Sequence, residues 1–316
     1  MEGKIKIGIS SCLLGNNVRY DGGHKLDHYL SDTLGKYVQW VPVCPEVEYG
    51  LPIPREAMRL VGDPASPRLV TQKTAIDHTE GIQKWAAQKL RQLEGENLCG
   101  FIFKSKSPSS GLLRVKVYSL SGMPSKTGAG IFAGAFVKQF PLIPVEEDGR
   151  LHDPKLRENF IERIFVFRRW RAFLSEGAQL KKLVDFHTDH KLLLMSHSPK
   201  HYSLLGKLVA AAGKGEKKHK LNDYIHSLME GLTLIATVKK NTNVLMHIAG
   251  YFKKNLGADA KKELHDLIEN YHRGLIPLIV PITLMNHYVR IYQEVYLKRQ
   301  HYLNPHPLEL MLRNHV

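Results

Sequence analysis

The first half of the chain alternates short β-rich runs with helix-like stretches, and this alternation constrains the fold more than any other feature. Three runs, 4–10, 37–43 and 100–105, are rich in β-branched and aromatic residues and are bounded by turn residues. Alternating strands and helices predict an α/β fold, with a mostly parallel sheet and helices on both of its faces. The predicted helices of this half are 24–35, 79–93 with Thr79 as N-cap, and a glycine-loosened helix at 128–137.

The second half has a different pattern. Residues 141–154 combine three prolines, a glycine and an acidic run, which is typical of a connection between domains. We therefore predict an α/β domain at 1–149 and a second domain at 150–316. Beyond the boundary, apolar residues recur at helical spacing, which predicts an all-α C-terminal domain. Its helices are expected to begin at Asp153-Pro154 and to include 180–195, 202–212, 223–256 with a break near 241–243, 259–272 and 284–299.

The chain carries an excess of positive charge. Its 316 residues include 45 Lys and Arg against 30 Asp and Glu, a net charge of +15. Residues 151–316 hold most of this excess, with 26 Lys and Arg against 15 Asp and Glu. A field of this sign attracts nucleic acid or an anionic membrane surface, and a merely basic housekeeping enzyme is the alternative.

Several features bear on the compartment. No stretch has the ~18 uncharged apolar residues of a transmembrane helix, and the first residues do not resemble a signal peptide. The chain has three cysteines, an odd number that argues against a disulfide framework. We therefore expect a cytoplasmic protein with neither a membrane nor an obligate protein partner.

Residues capable of chemistry follow each of the three predicted strands. Cys12 follows the first strand, Cys44 and Glu46 follow the second, and the loop KSKSPSSG at 104–111 follows the third. Ligand sites of open α/β sheets form at the carboxyl ends of strands, so these residues are expected to meet. Cys99 begins its strand and is interpreted as a small buried hydrophobe. The chain has no C-x-x-C pair and no zinc spacing.

These loops carry a resemblance to a known family. The motif SCLLG at 11–15 with RYDG at 19–22, VCPEV at 43–47 with GLPIPR at 50–55, and the loop at 104–111 together resemble the thiouracil desulfidase family. The second half resembles the helical domain often fused behind it, notably at 185–201 and 245–256. The fused arrangement is similar to that of the bacterial tRNA 4-thiouridine desulfidases.

The resemblance implies a [4Fe-4S] cluster held by three cysteines, with one iron free to take the thiocarbonyl sulfur. Cys12 and Cys44 match two of these ligands, whereas Ser110 occupies the position of the third. A serine hydroxyl is a harder and less acidic donor than a thiol. The cluster is then lost or labile, or Ser110 binds as an alkoxide, or the chain is an engineered inactive variant. The fit of the neighbouring residues favours the variant.

The resemblance also implies a reaction without net electron transfer, in which water replaces sulfur on the uracil ring and sulfide is the product. Glu46 is our candidate for the general acid/base, and a helix-capping or salt-bridged carboxylate is the alternative. Ser107 is expected to hydrogen-bond the substrate or the water, or else to be a simple turn-forming serine. Arg55 either pairs with a carboxylate near the site or lies on the surface.

The basic second half fits the neutralisation of a tRNA backbone. Lys104 and Lys106 lie beside the loop where the target base would arrive. The predicted RNA contacts are Lys104, Lys106, Arg168, Arg169, Arg171, Lys200, His201 and Lys207.

The sequence fits four functions, of which a metal-independent nucleotide-binding protein is the most distant. The first is an iron–sulfur desulfidase that converts 4-thiouridine in tRNA to uridine. A desulfidase of free thiouracil would not need a basic helical domain. A non-catalytic RNA-binding protein that has lost its cluster would explain Ser110.

Overall fold

The structure is a computed structural model that describes residues 4–119, 121–211 and 217–315. The chain divides into two compact units, Met1–Asp153 and Pro154–Val316. The first contains eight strands among the described residues: β1 (Ile5–Ser10), β2 (Val38–Val43), β3 (Met58–Val61), β4 (Arg68–Thr71), β5 (Gly100–Phe103), β6 (Val115–Tyr118), β7 (Pro124–Gly128) and β8 (Val145–Glu147).

Four strands form a fully parallel sheet in the order β2-β1-β5-β8, which confirms the predicted parallel sheet and its three predicted strands. The central strand β1 buries Ile7 and Ile9 completely. Gly8 lies between them because a Cβ atom there would come within 2.2 Å of the Phe101 ring on β5. Since all four strands run in one direction, their carboxyl ends share one edge of the sheet.

The fourth strand corrects one prediction, because β8 lies inside the segment that we interpreted as an interdomain connection. Its two carboxylates, Glu146 and Glu147, suggested a solvated linker, yet both are buried. Glu147 Oε1 accepts hydrogen bonds from the backbone N–H groups of Leu112 and Leu113, and Glu146 pairs with Arg150 at 2.7 Å. These hydrogen bonds and this ion pair offset the free-energy cost of burying the two carboxylates.

A second sheet was not predicted. It has the order β4-β3-β6-β7, with β3 parallel to β6 and the outer pairs antiparallel. Its strands have only four or five residues, too few for a clear alternating pattern. Leu60, Val117 and Ile82 form part of its core.

The helices of the first unit are α1 (Pro45–Glu48), α2 (Thr79–Gly95) and α3 (Ile131–Gln139). The helices at α2 and α3 were predicted, but Thr79 is not the N-cap: α2 begins at Thr79, whose Oγ1 accepts a hydrogen bond from Leu69 N. The predicted helix at 24–35 is reduced to a π turn at Tyr29–Thr33 and a 3-10 turn at Leu34–Lys36.

The second unit is helical in its described residues, which confirms the predicted class. Pro154 begins the first helix, as predicted. The break predicted near 241–243 falls instead at 234–237, where the Thr237 side chain caps the next helix by accepting from Lys240 N. Pro281 lies in the first turn of its helix, where a missing N–H is tolerated, so that helix begins before residue 284. The helices are α4 (Pro154–Ser175), α5 (Leu180–His197), α6 (Pro199–Ala210), α7 (Lys217–Thr233), α8 (Val238–Tyr251), α9 (Ala258–His272), α10 (Ile279–Ile291) and α11 (Val295–Lys298).

A buried charge network lies inside this helical unit. Glu162 on α4 accepts from Arg313 Nη2 at 2.6 Å and contacts His197 Nε2 at 2.9 Å. Arg313 also donates to Glu158 at 3.2 Å and to the Tyr302 carbonyl at 2.6 Å. Burial alone would raise the pKa of Glu162, but the Arg313 charge and the His197 hydrogen bond lower it. The network therefore ties the end of the chain to α4 and α5.

None of the helices in the described ranges has an apolar stretch that could span a lipid bilayer.

Candidate active site

The carboxyl edge of the parallel sheet opens into a cavity of about 390 Å³. Cys12 enters it from the 3-10 turn that follows β1, Cys44 from the residue before α1, and Ser110 from the loop after β5. The side chains that the sequence places after three separate strands thus line one cavity. Glu46 and Ser107 line it as well.

Cys12 is buried and Cys44 is partly buried. Burial raises the pKa of Cys12 to about 11, while the positive charge of Lys104 acts in the opposite direction. Burial likewise raises the pKa of Cys44 to about 12, and the neighbouring Glu46 carboxylate adds to the shift. A buried thiol next to a carboxylate is a poor nucleophile, so neither cysteine has the environment of a nucleophilic catalyst.

The Glu46 carboxylate has a defined orientation. Its Oε1 accepts a hydrogen bond of 2.5 Å from Ser109 Oγ, and its Oε2 lies 3.9 Å from Arg55 Nη2 and 3.6 Å from Cys44 Sγ. Arg55 in turn donates from both terminal nitrogens to the Val18 carbonyl at 3.0 Å. A carboxylate held this way inside a cavity is suited to proton transfer.

Glu48 has a separate role. Its Oε1 accepts from the backbone N–H of Cys44 at 2.9 Å, and its Oε2 pairs with Lys89 at 2.8 Å. Glu48 rather than Glu46 therefore holds the backbone at the start of α1. Of the alternative given for Glu46, the helix-capping role thus belongs to Glu48, whereas the salt bridge is formed by Glu46 itself, with Arg55 at 3.9 Å.

The loop after β5 is built around serine hydroxyls. Ser107 Oγ accepts from the backbone N–H groups of Ser109 and Ser110, at 3.3 and 3.1 Å, in the manner of a turn-forming serine. Ser110 is buried, and its Oγ lies 3.4 Å from Ser109 Oγ. Gly130 packs directly on this loop, since a Cβ atom there would lie 2.4 Å from the Ser109 carbonyl group. The position of residue 110 is thereby fixed from both sides.

Lys104 differs from its predicted role as an RNA contact. Its Nζ pairs with Asp148 at 2.8 Å and contacts Ser105 Oγ at 3.0 Å. Burial would raise the pKa of Asp148, but the hydrogen bonds from Lys104 and from Ser105 N lower it. Lys104 is therefore a partly buried cation that acts on the Cys12 environment. Lys106, by contrast, is exposed at the rim of the cavity.

The predicted RNA contacts of the helical unit fall into two groups. Lys200 and Lys207 are exposed on α6. His201 is buried, with Nδ1 at 2.7 Å from Ser198 Oγ, and is corrected to a structural residue. Arg169 is partly buried and donates to the Pro305 carbonyl, so its role is structural as well. The remaining two predicted contacts, Arg168 and Arg171, are half-buried. The guanidinium of Arg171 lies 5.0 Å from the centre of the Phe167 ring.

The donor set does not match three thiolates. The two thiols share the cavity with the Ser110 hydroxyl, and in residues 4–119, 121–211 and 217–315 no cluster of three His, Cys, Asp or Glu side chains is placed to bind a metal ion. Cys99 cannot substitute, because it lies at the opposite end of β5 and its Sγ donates to the Asn97 carbonyl at 3.8 Å. A three-cysteine cluster therefore does not fit this chain as it stands.

The sequence left Arg55 between pairing with a carboxylate near the site and a surface position, and the structure shows the pairing, with Glu46. No role was predicted for Ser109. A functional role for Ser109 could not be inferred from the sequence, because a serine next to a proline is common in turns. Arg55 had a signal, its place at the end of GLPIPR, but its carbonyl partner Val18 belongs to a loop with no periodic pattern.

The chain is similar in sequence to several known proteins. Residues 7–148 match the family model of the 2-thiouracil desulfurases, and residues 191–307 match that of a protein of unknown function, DUF1722. The uncharacterized protein YbgA of Escherichia coli K12 is 30% identical over 156 residues, which are 48% of this chain and 90% of that protein. The uncharacterized protein YbbK of Bacillus subtilis 168 is 30% identical over 136 residues, 42% of this chain and 88% of that protein.

A solved structure is also similar. The [4Fe-4S]-dependent thiouracil desulfidase TudS is 29% identical, with a TM-score of 0.40, and the match covers 48% of this chain and 95% of that chain.

Proposed function

The chain belongs to the 2-thiouracil desulfurase family, and we propose that its cavity is the active site of a desulfidase for 4-thiouridine in tRNA, inactive here because Ser110 replaces the third cysteine ligand. The convergence of Cys12, Cys44, Ser110 and Glu46 on one cavity carries the proposal. With a hydroxyl at one ligand position, the cavity keeps its shape but lacks the third thiolate that would hold the cluster.

The residues of the chain itself supply positioning and proton transfer. Replacing sulfur by oxygen on a uracil ring consumes water, and Glu46 is the base that accepts a proton from that water. Ser109 and Arg55 hold the carboxylate in place, so that it faces the cavity rather than the solvent. Ser107 acts on the reaction by shaping the loop that carries residue 110.

The charge of the chain supports RNA as the form in which the base arrives. Residues 151–316 carry 26 basic against 15 acidic side chains, an excess that a free base would not require. Lys200 and Lys207 are exposed and are therefore the better candidates for phosphate contacts in the helical unit, whereas Lys106 lies at the rim of the cavity. Sulfide is the other product.

The serine at position 110 favours a second candidate function. A chain without a third thiolate could bind RNA and perform no chemistry. Both functions predict tRNA binding that weakens steeply with salt, because phosphate neutralisation releases counterions. Only the desulfidase predicts that cysteine at position 110 brings sulfide release.

Substrate choice provides the test. We expect the Ser110→Cys chain, reconstituted with iron and sulfide without oxygen, to release sulfide from 4-thiouridine-containing tRNA with a kcat/KM at least tenfold above that for free 4-thiouracil. Replacing Lys200 and Lys207 by glutamine should lower the ratio of kcat/KM for tRNA to kcat/KM for free 4-thiouracil. Replacing the exposed Lys36 and Arg91 of the other unit should leave this ratio unchanged. An equal or higher kcat/KM for the free base would contradict an RNA substrate.

A further inference from the structure

We propose that the helical unit carries a binding site of its own, a pocket that takes an unpaired guanine nucleotide of the RNA. This inference rests on the proposed function in taking RNA as the partner. The pocket has a volume of about 320 Å³, a size found in sites for small ligands, and is called the helical-unit pocket below. It is formed by the start of α4, the connection between α7 and α8, the end of α9, and Arg313 and His315 at the end of the chain.

Hydrogen bonds between these segments hold the helical-unit pocket in shape. Lys240 on α8 donates from Nζ to the Ile235 carbonyl at 3.2 Å and to the His197 carbonyl at 2.6 Å. Asn159 on α4 donates from Nδ2 to the carbonyl of Leu232, near the end of α7, at 2.8 Å. A site that is fixed before binding loses less conformational entropy when its ligand arrives.

The walls of the helical-unit pocket are largely apolar. Ile235, Ala236 and Val238 come from the connection between α7 and α8 and from the start of α8, whereas Ile276 and Leu278 come from the segment before α10. Apolar side chains from two separate segments favour an aromatic ring over a hydrated ion.

Glu158 is the carboxylate that a ligand can reach. Its side chain is 13% exposed, whereas that of Glu162 is 2% exposed. Glu158 Oε1 accepts from Arg313 Nε at 3.2 Å, and its Oε2 lies 3.6 Å from His315 Nε2, so both oxygens keep a lone pair for a ligand. Burial and the charge of Glu162 raise the pKa of Glu158, and N–H donors from a ligand would stabilise its ionised form.

The guanidinium in the pocket argues against an anionic ligand. Arg313 donates from Nε to Glu158, from Nη1 to the Tyr302 carbonyl and from Nη2 to Glu162. An anion would therefore have to compete with hydrogen bonds that already satisfy this buried cation. The accessible chemistry of the pocket is that of an acceptor, which calls for a ligand with N–H groups.

Two adjacent acceptors select guanine among the four RNA bases. Guanine presents N1–H and its amino group side by side, so both can donate to one carboxylate. Adenine and cytosine present an amino group next to a ring nitrogen with a lone pair, which an ionised carboxylate repels. Uracil presents a single N–H between two carbonyl oxygens. The Glu158 carboxylate therefore favours guanine.

Exposed cations lie on the segments that form the helical-unit pocket. Lys155 lines it at the start of α4, Lys239 follows the lining residue Val238, and Arg273 precedes the lining residue Gly274. Cations at such positions can contact the phosphates on either side of an unstacked base. Exposed cations, apolar walls and a carboxylate with unused lone pairs together supply the contacts that an unpaired guanine nucleotide of RNA requires.

Binding measurements on the unaltered chain, which need no cluster, test the ligand side of this contact. The probes are heptanucleotides of uridine with guanosine, adenosine or inosine at the centre, under mildly alkaline conditions that keep the carboxylate ionised. We expect the guanosine RNA to bind about tenfold more tightly than the other two, because inosine lacks only the amino group of guanosine and adenosine lacks the paired donors. Guanosine 5′-monophosphate should bind more weakly than the guanosine RNA, since it lacks the flanking phosphates.

Glu158→Gln tests the protein side. A glutamine oxygen can still accept from Arg313, but the amide pairs one donor with one acceptor, the pattern that matches adenine. We expect this variant to lose its preference for guanosine and to bind the adenosine RNA at least as tightly as the guanosine RNA. Glu263→Gln removes the same charge from an exposed position on α9 and should keep the preference for guanosine.

A second pair of variants leaves the Arg313 network intact. Ile235→Glu places a charge in the apolar wall and should lower the affinity for the guanosine RNA to that for the adenosine RNA. Leu234→Glu adds the same charge at the preceding exposed position, which does not line the pocket, and should keep the preference for guanosine.

Several results would overturn the assignment. Equal binding of the guanosine, adenosine and inosine RNAs would do so, as would a Glu158→Gln chain that is folded by circular dichroism and still prefers guanosine. Guanosine 5′-monophosphate binding as tightly as the RNA would make the pocket a site for a free nucleotide. Sulfide release by Ser110→Cys is measured independently. Sulfide release without a guanosine preference would overturn this inference alone, and a guanosine preference without sulfide release would overturn only the proposed desulfidase.

Discussion

Replacing Arg313 by methionine is expected to lower the free energy of unfolding of the helical unit by about 3–5 kcal/mol, because it leaves buried carboxylates without their cation. Arg313 is 3% exposed and bridges Glu162 and Glu158. Urea unfolding followed by circular dichroism measures the change. Arg290→Gln on the exposed side of α10 is the matched control and should shift the midpoint little.

The loss of unfolding free energy caused by Arg313→Met should also depend on pH. Without the guanidinium, burial raises the pKa of both carboxylates above their unfolded values, so the folded variant binds protons that the unfolded chain releases. Its stability is then greatest below the unfolded pKa and is lost as pH rises through the folded pKa. The deficit relative to the unaltered chain should therefore shrink from pH 8 to pH 5.5. A deficit that grows on acidification would contradict the assigned network.

Removing the carboxylate of Glu46 is expected to reduce turnover by about 10²–10⁴-fold in the reconstituted Ser110→Cys chain, the range typical of a lost general acid or base. Glu46→Gln keeps the shape of the side chain and its contact with Ser109, but an amide cannot accept the proton of water. The assay is sulfide release from thiolated tRNA, with cluster content measured on the same sample. The KM should change little, because the carboxylate acts on the water rather than on the RNA.

Glu48→Gln is the control for this substitution. Glu48 is two residues away and bonds the Cys44 backbone and Lys89, and a glutamine oxygen can still accept from that backbone N–H. We expect turnover within a few fold of the parent. If both variants lost turnover equally, or if Glu46→Gln lost the cluster itself, Glu46 would be a structural residue and the proton would be accepted elsewhere.

The sequence predicted the parallel sheet because short β-rich runs bounded by turn residues alternate with helix-like stretches in the first half of the chain. It predicted the cavity because Cys12, Cys44 and the loop at 104–111 all follow strands that end at one edge. It did not predict β8, since two adjacent glutamates give no β signal unless their hydrogen-bond partners are known. The second sheet was missed for a similar reason, because four-residue strands have no resolvable period.

Side-chain roles were harder to predict than elements. His201 and Arg169 belong to a basic stretch of sequence, yet helix geometry turns both towards the interior, where Ser198 and the Pro305 carbonyl bind them. Lys104 was expected to meet RNA and instead pairs with Asp148, which is 44 positions away in the chain. Such long-range pairing cannot be read from local pattern. The positions of backbone elements follow from periodicity, whereas the choice between a surface cation and a buried ion pair depends on tertiary contacts.

Anaerobic reconstitution with iron and sulfide tests whether Ser110 stands at the position of the third cluster ligand. The Ser110→Cys chain and the unaltered chain are compared by visible absorbance, iron per chain, and loss of 4-thiouridine from tRNA, with Ser110→Cys/Cys99→Ala and Ser110→Cys/Cys12→Ala as controls. We predict that Ser110→Cys and its Cys99→Ala derivative gain a broad cluster band and turnover, and that the other two chains do not. If neither Ser110→Cys nor Ser110→Cys/Cys99→Ala gained a cluster band, the assignment of this cavity as a cluster-dependent desulfidase site would be contradicted. An undiminished band in Ser110→Cys/Cys12→Ala would contradict it as well.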